Sequence, residues 1–251
     1  MPRELIDMDM RDLIKGADGE DATTICVLGQ KRAGKTRGMA AMGNSIKDKK
    51  AVFVDTLGAW SKVKLIREAT YLEGAGGVDL ARLLKAIDKE FDKSDRIVIN
   101  CRGMLAQEYV RFADVFSIWA MNKGNMAMFV DEIQAYCPQD RAYYSWEMER
   151  MCMWGRNEGI EPFVMSSQRP QKANKDVLAL SDLYILMRIF HNLDRNKVKD
   201  LIGMKPAEWE LFEKKLMSLH KKNAFVLDTD LNIKQVVFPN VYGENEKEVG
   251  Q

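Results

Sequence analysis

The chain has little of what would tie it to a metal, a membrane or an oxidising compartment. Its four cysteines, Cys26, Cys101, Cys137 and Cys152, are scattered with no C-x-x-C pair, and His191 and His220 are the only histidines. That spacing offers no zinc-type ligand set, and buried, reduced thiols of an intracellular protein are expected instead. No uninterrupted apolar run approaches a membrane span, and because Met1-Pro2-Arg3-Glu4 leads into no signal-peptide apolar segment, no secretory leader is expected. Net charge is only +1 over 251 residues. Binding to nucleic acid would therefore have to come from a local patch or a ring of subunits, because the chain is no polycation. Internal repeats and low-complexity tracts are absent. What remains, 46% hydrophobic and 30% charged, is the composition of an ordinary globular protein with room for one large α/β domain or two small ones. The sixteen methionines are dispersed among helical segments and read as core filler.

Against that plain background one stretch stands out. Val27–Thr36 reads VLGQKRAGKT and contains Gly29-x-x-x-x-Gly34-Lys35-Thr36, the spacing of a phosphate-binding P-loop. An apolar run, Thr24–Leu28, leads into it as a buried strand, and Arg37–Met42 continues as a helix. Glycines let the backbone wrap a triphosphate so that successive N–H groups and the helix N-terminus face the anion. The candidate nucleotide cradle is Gly29, Gln30, Lys31, Arg32, Ala33, Gly34, Lys35, Thr36 and Arg37. Lys35 is placed to reach the β- and γ-phosphates of ATP, and Thr36 to ligate Mg²⁺.

The rest of the chain alternates strands and helices. Residues 2–16 read as a short amphipathic helix and 16–21 as an acidic linker, giving an arm (1–22) that packs on its own domain or on a neighbouring subunit. Strands are expected at 51–55, 96–100, 126–132, 162–168 and 183–190. Helices are expected at 76–94, 105–121, 141–158, 193–202 and 206–221, with an edge hairpin from 224–227 and 234–238. A motor domain of 23–240 and a polar tail of 241–251 complete the division. Such alternation means a mostly parallel sheet with helices on both faces and ligands beyond the carboxyl ends of the strands.

Met126–Val130 followed by Asp131-Glu132 has the form of a Walker B strand. Asp131 would hold Mg²⁺, and Glu132 would polarise the water that attacks the γ-phosphate. The glutamate favours hydrolysis over phosphoryl transfer to a small molecule. A GTPase would want Asp-x-x-Gly where Asp131-Glu132-Ile133-Gln134 stands, and Asn122-Lys123-Gly124-Asn125 lacks the final acid of a guanine reader. Gln168 ends the next strand, where an amide can touch both γ-phosphate and water. Arg156 is a candidate arginine finger reaching into a neighbouring subunit, with Arg169 competing for that role.

The P-loop, the hydrophobic-Asp-Glu strand, Gly155-Arg156-Asn157-x-Gly159 and Ser167-Gln168-Arg169-Pro170 together resemble the FtsK–HerA superfamily of DNA-pumping ATPases. Val177-Leu178-x-Leu180-Ser181-Asp182-x-Tyr184-Ile185 and Leu193-Asp194 with Ile202-Gly203 extend the resemblance over about Thr23 to Phe238. It departs from the family's usual small polar residues at Lys31-Arg32-Ala33. The resemblance implies a RecA-like (ASCE) P-loop NTPase fold, with Gln168 as polar sensor and Arg156 as trans-acting arginine. A nearly bare motor of this size looks most like the genome-packaging ATPases of tailless viruses with an internal membrane. That implies a homo-oligomeric ring, a hexamer, moving double-stranded DNA without sequence preference. Capsid or membrane-vertex proteins would be its partners, in the host cytoplasm or on the virion. The alternatives are a HerA-like cellular or plasmid translocase for repair or conjugation, and an ATP-dependent assembly or secretion protein acting on protein. Candidate DNA contacts are Lys47, Lys49 and Lys50; Lys62, Lys64 and Arg67; and Lys172 with Lys175.

Overall fold

The computed structural model describes Ile14, residues 24–74 and residues 76–239. The expected linker and polar tail lie outside these residues, as does the expected N-terminal helix apart from Ile14, which is buried. Among the described residues nine strands form one sheet: β1 (Thr24–Leu28), β2 (Lys50–Asp55), β3 (Thr70–Glu73), β4 (Arg96–Asn100), β5 (Met126–Val130), β6 (Ile160–Ser167), β7 (Leu183–Leu186), β8 (Asn223–Asp228) and β9 (Ile233–Val237). Their order is β3-β4-β2-β5-β6-β1-β7-β8-β9. The strands from β3 to β7 pair in parallel, and β8 and β9 close the far edge in antiparallel. The P-loop strand β1 and the acidic strand β5 are therefore not neighbours; β6 lies between them.

Side chains alternate between the two faces, as the pleat requires. Cys26, Leu28, Val52, Val54, Met128, Val130 and Met165 point to one core, and Ile25, Val27, Phe53, Phe129 and Val164 to the other. The first core is covered by α3 (Leu80–Phe91), α4 (Ala106–Lys123), α5 (Trp146–Trp154), α6 (Lys175–Ala179), α7 (Asn192–Ile202) and α8 (Pro206–Ser218). The second is covered by α1 (Lys35–Ser45) and α2 (Ala59–Val63). Both faces of the central strands are apolar, which is why they read as near-continuous hydrophobic runs. All four cysteines are buried and unpaired.

Local chemistry sets the helix ends. Asp79 accepts from the amides of Ala81 and Arg82 at the start of α3, and Gly124, at φ 58°, ends α4. The helix expected over 141–158 is shorter and broken: Ser145 accepts from the Met148 amide and starts α5, with 3₁₀ turns at Arg141–Tyr143 and Gly155–Glu158 on either side. The strand expected over 183–190 leaves the ladder after Leu186. Edge strand β3, α2 and α6 were not anticipated; each is a five-residue element or shorter.

Helix α1 lies close on the sheet at Gly43. A Cβ at Gly43 would sit 2.4 Å from Phe53 Cε1. That ring cannot retreat, being stacked on Phe129 at 4.6 Å between centroids and set edge-on to Trp60 at 5.7 Å. Gly43→Ala should therefore lower stability by about 1–3 kcal/mol through overpacking, although alanine is the better helix former. A urea titration checks this, and an unchanged or higher midpoint would refute it.

Candidate active site

Three chain segments meet at the carboxyl ends of β1, β5 and β6. The first is the loop from Gly29 to Gly34. Its Gly29 amide donates to the Ser167 carbonyl at 3.3 Å, Gln30 to Arg188 at 3.1 Å, and Ala33 back to Gln30 at 3.1 Å. Among the described residues, the amides of Lys31, Arg32, Gly34, Lys35 and Thr36 have no backbone acceptor, and α1 starts with neither a side-chain cap nor an acid in its first turn. This is an uncapped helix N-terminus ringed by free N–H groups, which favours an anion. Two positions in the loop require glycine. Gly34 has φ 112°, and a Cβ there would meet the Lys221 carbonyl oxygen at 2.5 Å; a Cβ at Gly29 would meet Met187 Cβ at 2.8 Å.

Lys35 is buried beneath the loop. Its Nζ donates to the Gly29 carbonyl at 2.8 Å and lies 3.9 Å from Glu132 Oε1. Burial holds this ammonium below its ordinary pKa, against the opposite pull of Glu132 and Asp131.

The second segment is the end of β5. Asp131 is 2% and Glu132 4% exposed. Ser166 Oγ donates to Asp131 Oδ1 at 2.6 Å and accepts from the Glu132 amide at 3.2 Å. Glu132 has φ 54°, a left-handed conformation that costs a residue with a side chain roughly 1–3 kcal/mol and gathers at functional sites. Its Oε2 accepts from the Gln168 amide at 3.0 Å and from Gln134 Nε2. Burial first, then the adjoining Glu132 carboxylate, push Asp131 up to about 7. Two adjacent buried carboxylates facing one ammonium would be relieved by a further cation. Among the described residues no group of three or more His, Cys, Asp or Glu forms a metal cage. The paired carboxylates beside the phosphate loop are the kind of donor Mg²⁺ takes, since it prefers one or two carboxylates plus substrate phosphates.

Gln168, the third segment, directly follows β6 and meets Glu132 through its backbone. Sequence reasoning missed Ser166, Gln134 and the brace formed by Met187–Phe190. Met187 donates to Leu28 at 2.8 Å, and the Phe190 amide donates to Gln30 Oε1 at 2.9 Å. Gln30 therefore ties the loop to this segment.

Solved structures with a similar architecture bear on the fold. The genome packaging NTPase B204 from Sulfolobus turreted icosahedral virus 2, in complex with ATP-gammaS, matches with a TM-score of 0.58 at 13% identity, over 85% of this chain and 95% of that one. B204 from Sulfolobus turreted icosahedral virus, described as the DNA-packaging ATPase, matches at 0.59 and 16% identity, over 85% and 96%. VirB4 of Thermoanaerobacter pseudethanolicus matches at 0.62 and 9% identity, over 95% and 98%. No family model matches the sequence, and no curated protein matches it significantly. The fold is that of the RecA-like P-loop NTPases. The strand between β1 and β5 is the feature of topology that agrees with the ASCE expectation.

Within this NTPase fold the other predicted residues fall in different places. Arg156 lies in the turn before β6, beside Thr24 and Asp182 around a cavity of about 220 Å³. The eight residues of β6 separate it from Gln168 by about 25 Å, so it is at the opposite end of the sheet from its own P-loop. Arg169 is at the nucleotide end, but its Nε is engaged by buried Asp194 at 3.0 Å. Lys49 and the Lys50 ammonium bind the carbonyls of Glu161 and Ser94 at the amino end of the sheet. Lys172 and Lys175 are exposed at the nucleotide end. Lys197 is close to Lys175; burial and that neighbouring charge hold its pKa below the ordinary value.

The Ser166 hydroxyl satisfies two buried groups at once. Ser166→Ala should cost about 1–3 kcal/mol in chemical denaturation, the penalty for a buried donor and acceptor left unpaired. A loss within about 0.5 kcal/mol would show that the clamp is not needed.

Proposed function

We propose that this chain is a ring-forming ATPase that couples ATP hydrolysis to the translocation of double-stranded DNA, as in packaging a viral genome into a preformed capsid. The observation that carries the reading is the convergence at one sheet end of Lys35, 3.9 Å from Glu132, with Glu132 held by the Gln168 amide at 3.0 Å. The free amides of Lys31, Arg32, Gly34, Lys35 and Thr36 cradle the phosphates, and Lys35 neutralises the β- and γ-oxygens. Thr36 and Asp131 would hold Mg²⁺, which when bound would supply positive charge against the transferring phosphoryl group. Glu132 takes a proton from the attacking water, and the Gln168 side chain senses the γ-phosphate. Arg156, distant from its own P-loop, serves a neighbouring subunit across a ring boundary, most simply in a hexamer.

The likeness to B204, a packaging NTPase found with ATP-gammaS, supports the viral version, with capsid or membrane-vertex proteins as partners and the host cytoplasm or virion as location. Among the described residues no helix is long and apolar enough to cross a membrane. Of the candidate DNA contacts, Lys172 and Lys175, joined by Lys197, are favoured because they lie at the nucleotide end, whereas Lys49 and Lys50 are tied to carbonyls elsewhere. A second reading has a protein partner, as in assembly or secretion. It is favoured by the exposed Tyr143, Trp146, Met153 and Trp154 around α5, residue types that dominate protein interfaces.

Lys35→Ala should abolish nucleotide hydrolysis. Glu132→Gln should keep ATP binding within about threefold while turnover falls by about 10²–10⁴. Duplex DNA should raise the wild-type hydrolysis rate, and that stimulation should fall steeply between about 50 and 200 mM salt. Equal rates with and without DNA would remove the translocase reading and leave the protein-partner one. Mixing Arg156→Ala with Glu132→Gln subunits should restore some turnover through intact composite sites; assembled mixed rings without rescue would give Arg156 a structural role.

A further inference from the structure

The Glu132 carboxylate is held asymmetrically. Oε2 accepts two hydrogen bonds, from the Gln168 amide and from Gln134 Nε2. Among the described residues Oε1 has the Lys35 ammonium alone, at 3.9 Å, beyond hydrogen-bond reach. The Gln134 amide is asymmetric in the complementary sense. Its Nε2 is spent on Glu132, and its carbonyl Oε1 is buried without a partner among the described residues. Turning the amide over would set two acceptors against each other, so the carboxylate dictates which end is which. The amide sits on a stiff support, since the 3₁₀ turn Ile133–Ala135 is closed by Ala135 N to Glu132 O at 2.8 Å and Tyr136 N to Ile133 O at 3.0 Å. A buried amide oxygen in this setting calls for a donor. Beside a general base for water activation, the fitting donor is a water molecule with two hydrogens to place.

We propose that, on the hydrolytic reading above, Gln134 orients the attacking water: Nε2 fixes Glu132 Oε2 so that Oε1 is the free base, and the Gln134 carbonyl accepts the water's second hydrogen. Both hydrogens are then directed at acceptors, and an oxygen lone pair is left for the γ-phosphorus. As the bond from water oxygen to phosphorus forms, the bond from phosphorus to the bridging oxygen of the departing diphosphate breaks. One water proton passes to Glu132 Oε1, and the other stays on the released phosphate. The Gln168 side chain, which makes no hydrogen bond among the described residues, is left for the γ-phosphate itself.

The test compares wild type, Glu132→Gln and Gln134→Met, the last similar in length but lacking both polar atoms. Steady-state ATP hydrolysis is measured beside binding of ADP alone and of ADP with Mg²⁺ and aluminium fluoride, an analogue of the phosphoryl group under attack by water. Gln134→Met should lower kcat by about a hundredfold, the size of effect seen when one preorganised group is removed, with KM changed by less than about threefold. ADP affinity should be unchanged, while the gain in affinity on adding aluminium fluoride should shrink by about tenfold or more. A kcat within about threefold of wild type together with a full aluminium fluoride gain overturns the assignment. So does a loss of affinity shared equally by ADP and its aluminium fluoride complex, which marks a merely structural role. Where Gln134→Met does not fold, Gln134→Ala takes its place in the same comparison. If wild type does not hydrolyse ATP, or Glu132→Gln hydrolyses it normally, the hydrolytic reading itself fails. Active wild type, inactive Glu132→Gln and active Gln134→Met together refute Gln134 alone.

Discussion

Keeping two adjacent carboxylates out of water is the constraint on which the rest of this structure depends. Asp131 and Glu132 end β5 almost fully buried, and an uncompensated charge there would cost several kcal/mol. The protein meets that cost from four directions. Ser166 spans the two residues, Lys35 supplies the opposite charge, the Gln168 amide and the Gln134 side chain bind one carboxylate oxygen, and Glu132 bends into a left-handed backbone to receive them. Compensation remains incomplete at Asp131, which is held up to about 7 by burial and by its neighbour. A site of that kind gains by admitting a divalent cation with its phosphate ligands.

The sheet order makes this compensation possible. With β6 between β1 and β5, the carboxyl end of one strand supplies groups to both of its neighbours. Ser166 points to the acids, the Ser167 carbonyl accepts from Gly29 of the P-loop, and Gln168 returns to Glu132. Were β5 and β1 adjacent, the acids and the loop would touch without an intermediary. Beyond Gln168 the chain that follows β6 continues through Arg169 to the buried Asp194 of α7, which also accepts from the Gln171 amide at 3.2 Å. The exposed Lys172 and Lys175 and the half-buried Lys197 stand on that same continuation.

Much of this was legible in the sequence, for reasons that differ by residue. The P-loop and the Asp131-Glu132 pair declare themselves because their chemistry is packed into consecutive positions, and the buried strands because their apolar runs are local. Ser166 could not be read. It is one polar residue in Met165-Ser166-Ser167, and its meaning lies in a contact 35 positions away. Gln134 was visible only as part of a motif that failed to match a GTPase; its role depends on the left-handed turn at Glu132, which spacing does not announce. Met187–Phe190 was read as more strand because its apolar character continues past Leu186. The ladder stops there, and the same residues become a brace against the P-loop. β3 and α2 were missed because four or five residues are too few to show a period.

The position of Arg156 bears on assembly more than on the single chain. Its turn adjoins the amino ends of β1 and β6, and a strand cannot be shortened to bring it to the loop at the other end. Any contribution it makes to phosphoryl transfer is therefore a contribution to another copy, which demands a head-to-tail contact joining opposite ends of neighbouring sheets. A heterologous contact of that sort either closes into a ring or runs on as a filament. Ring closure would give each site a guanidinium from next door. It would also repeat the Lys172, Lys175 and Lys197 set around an axis, so that a chain of net charge +1 could present a concentrated band of positive charge to a polyanion. The near-neutral composition and the proposed DNA-pump reading are reconciled by such a local patch, which the proposed ring would repeat, and a ring would put to use the geometry that denies Arg156 to its own site.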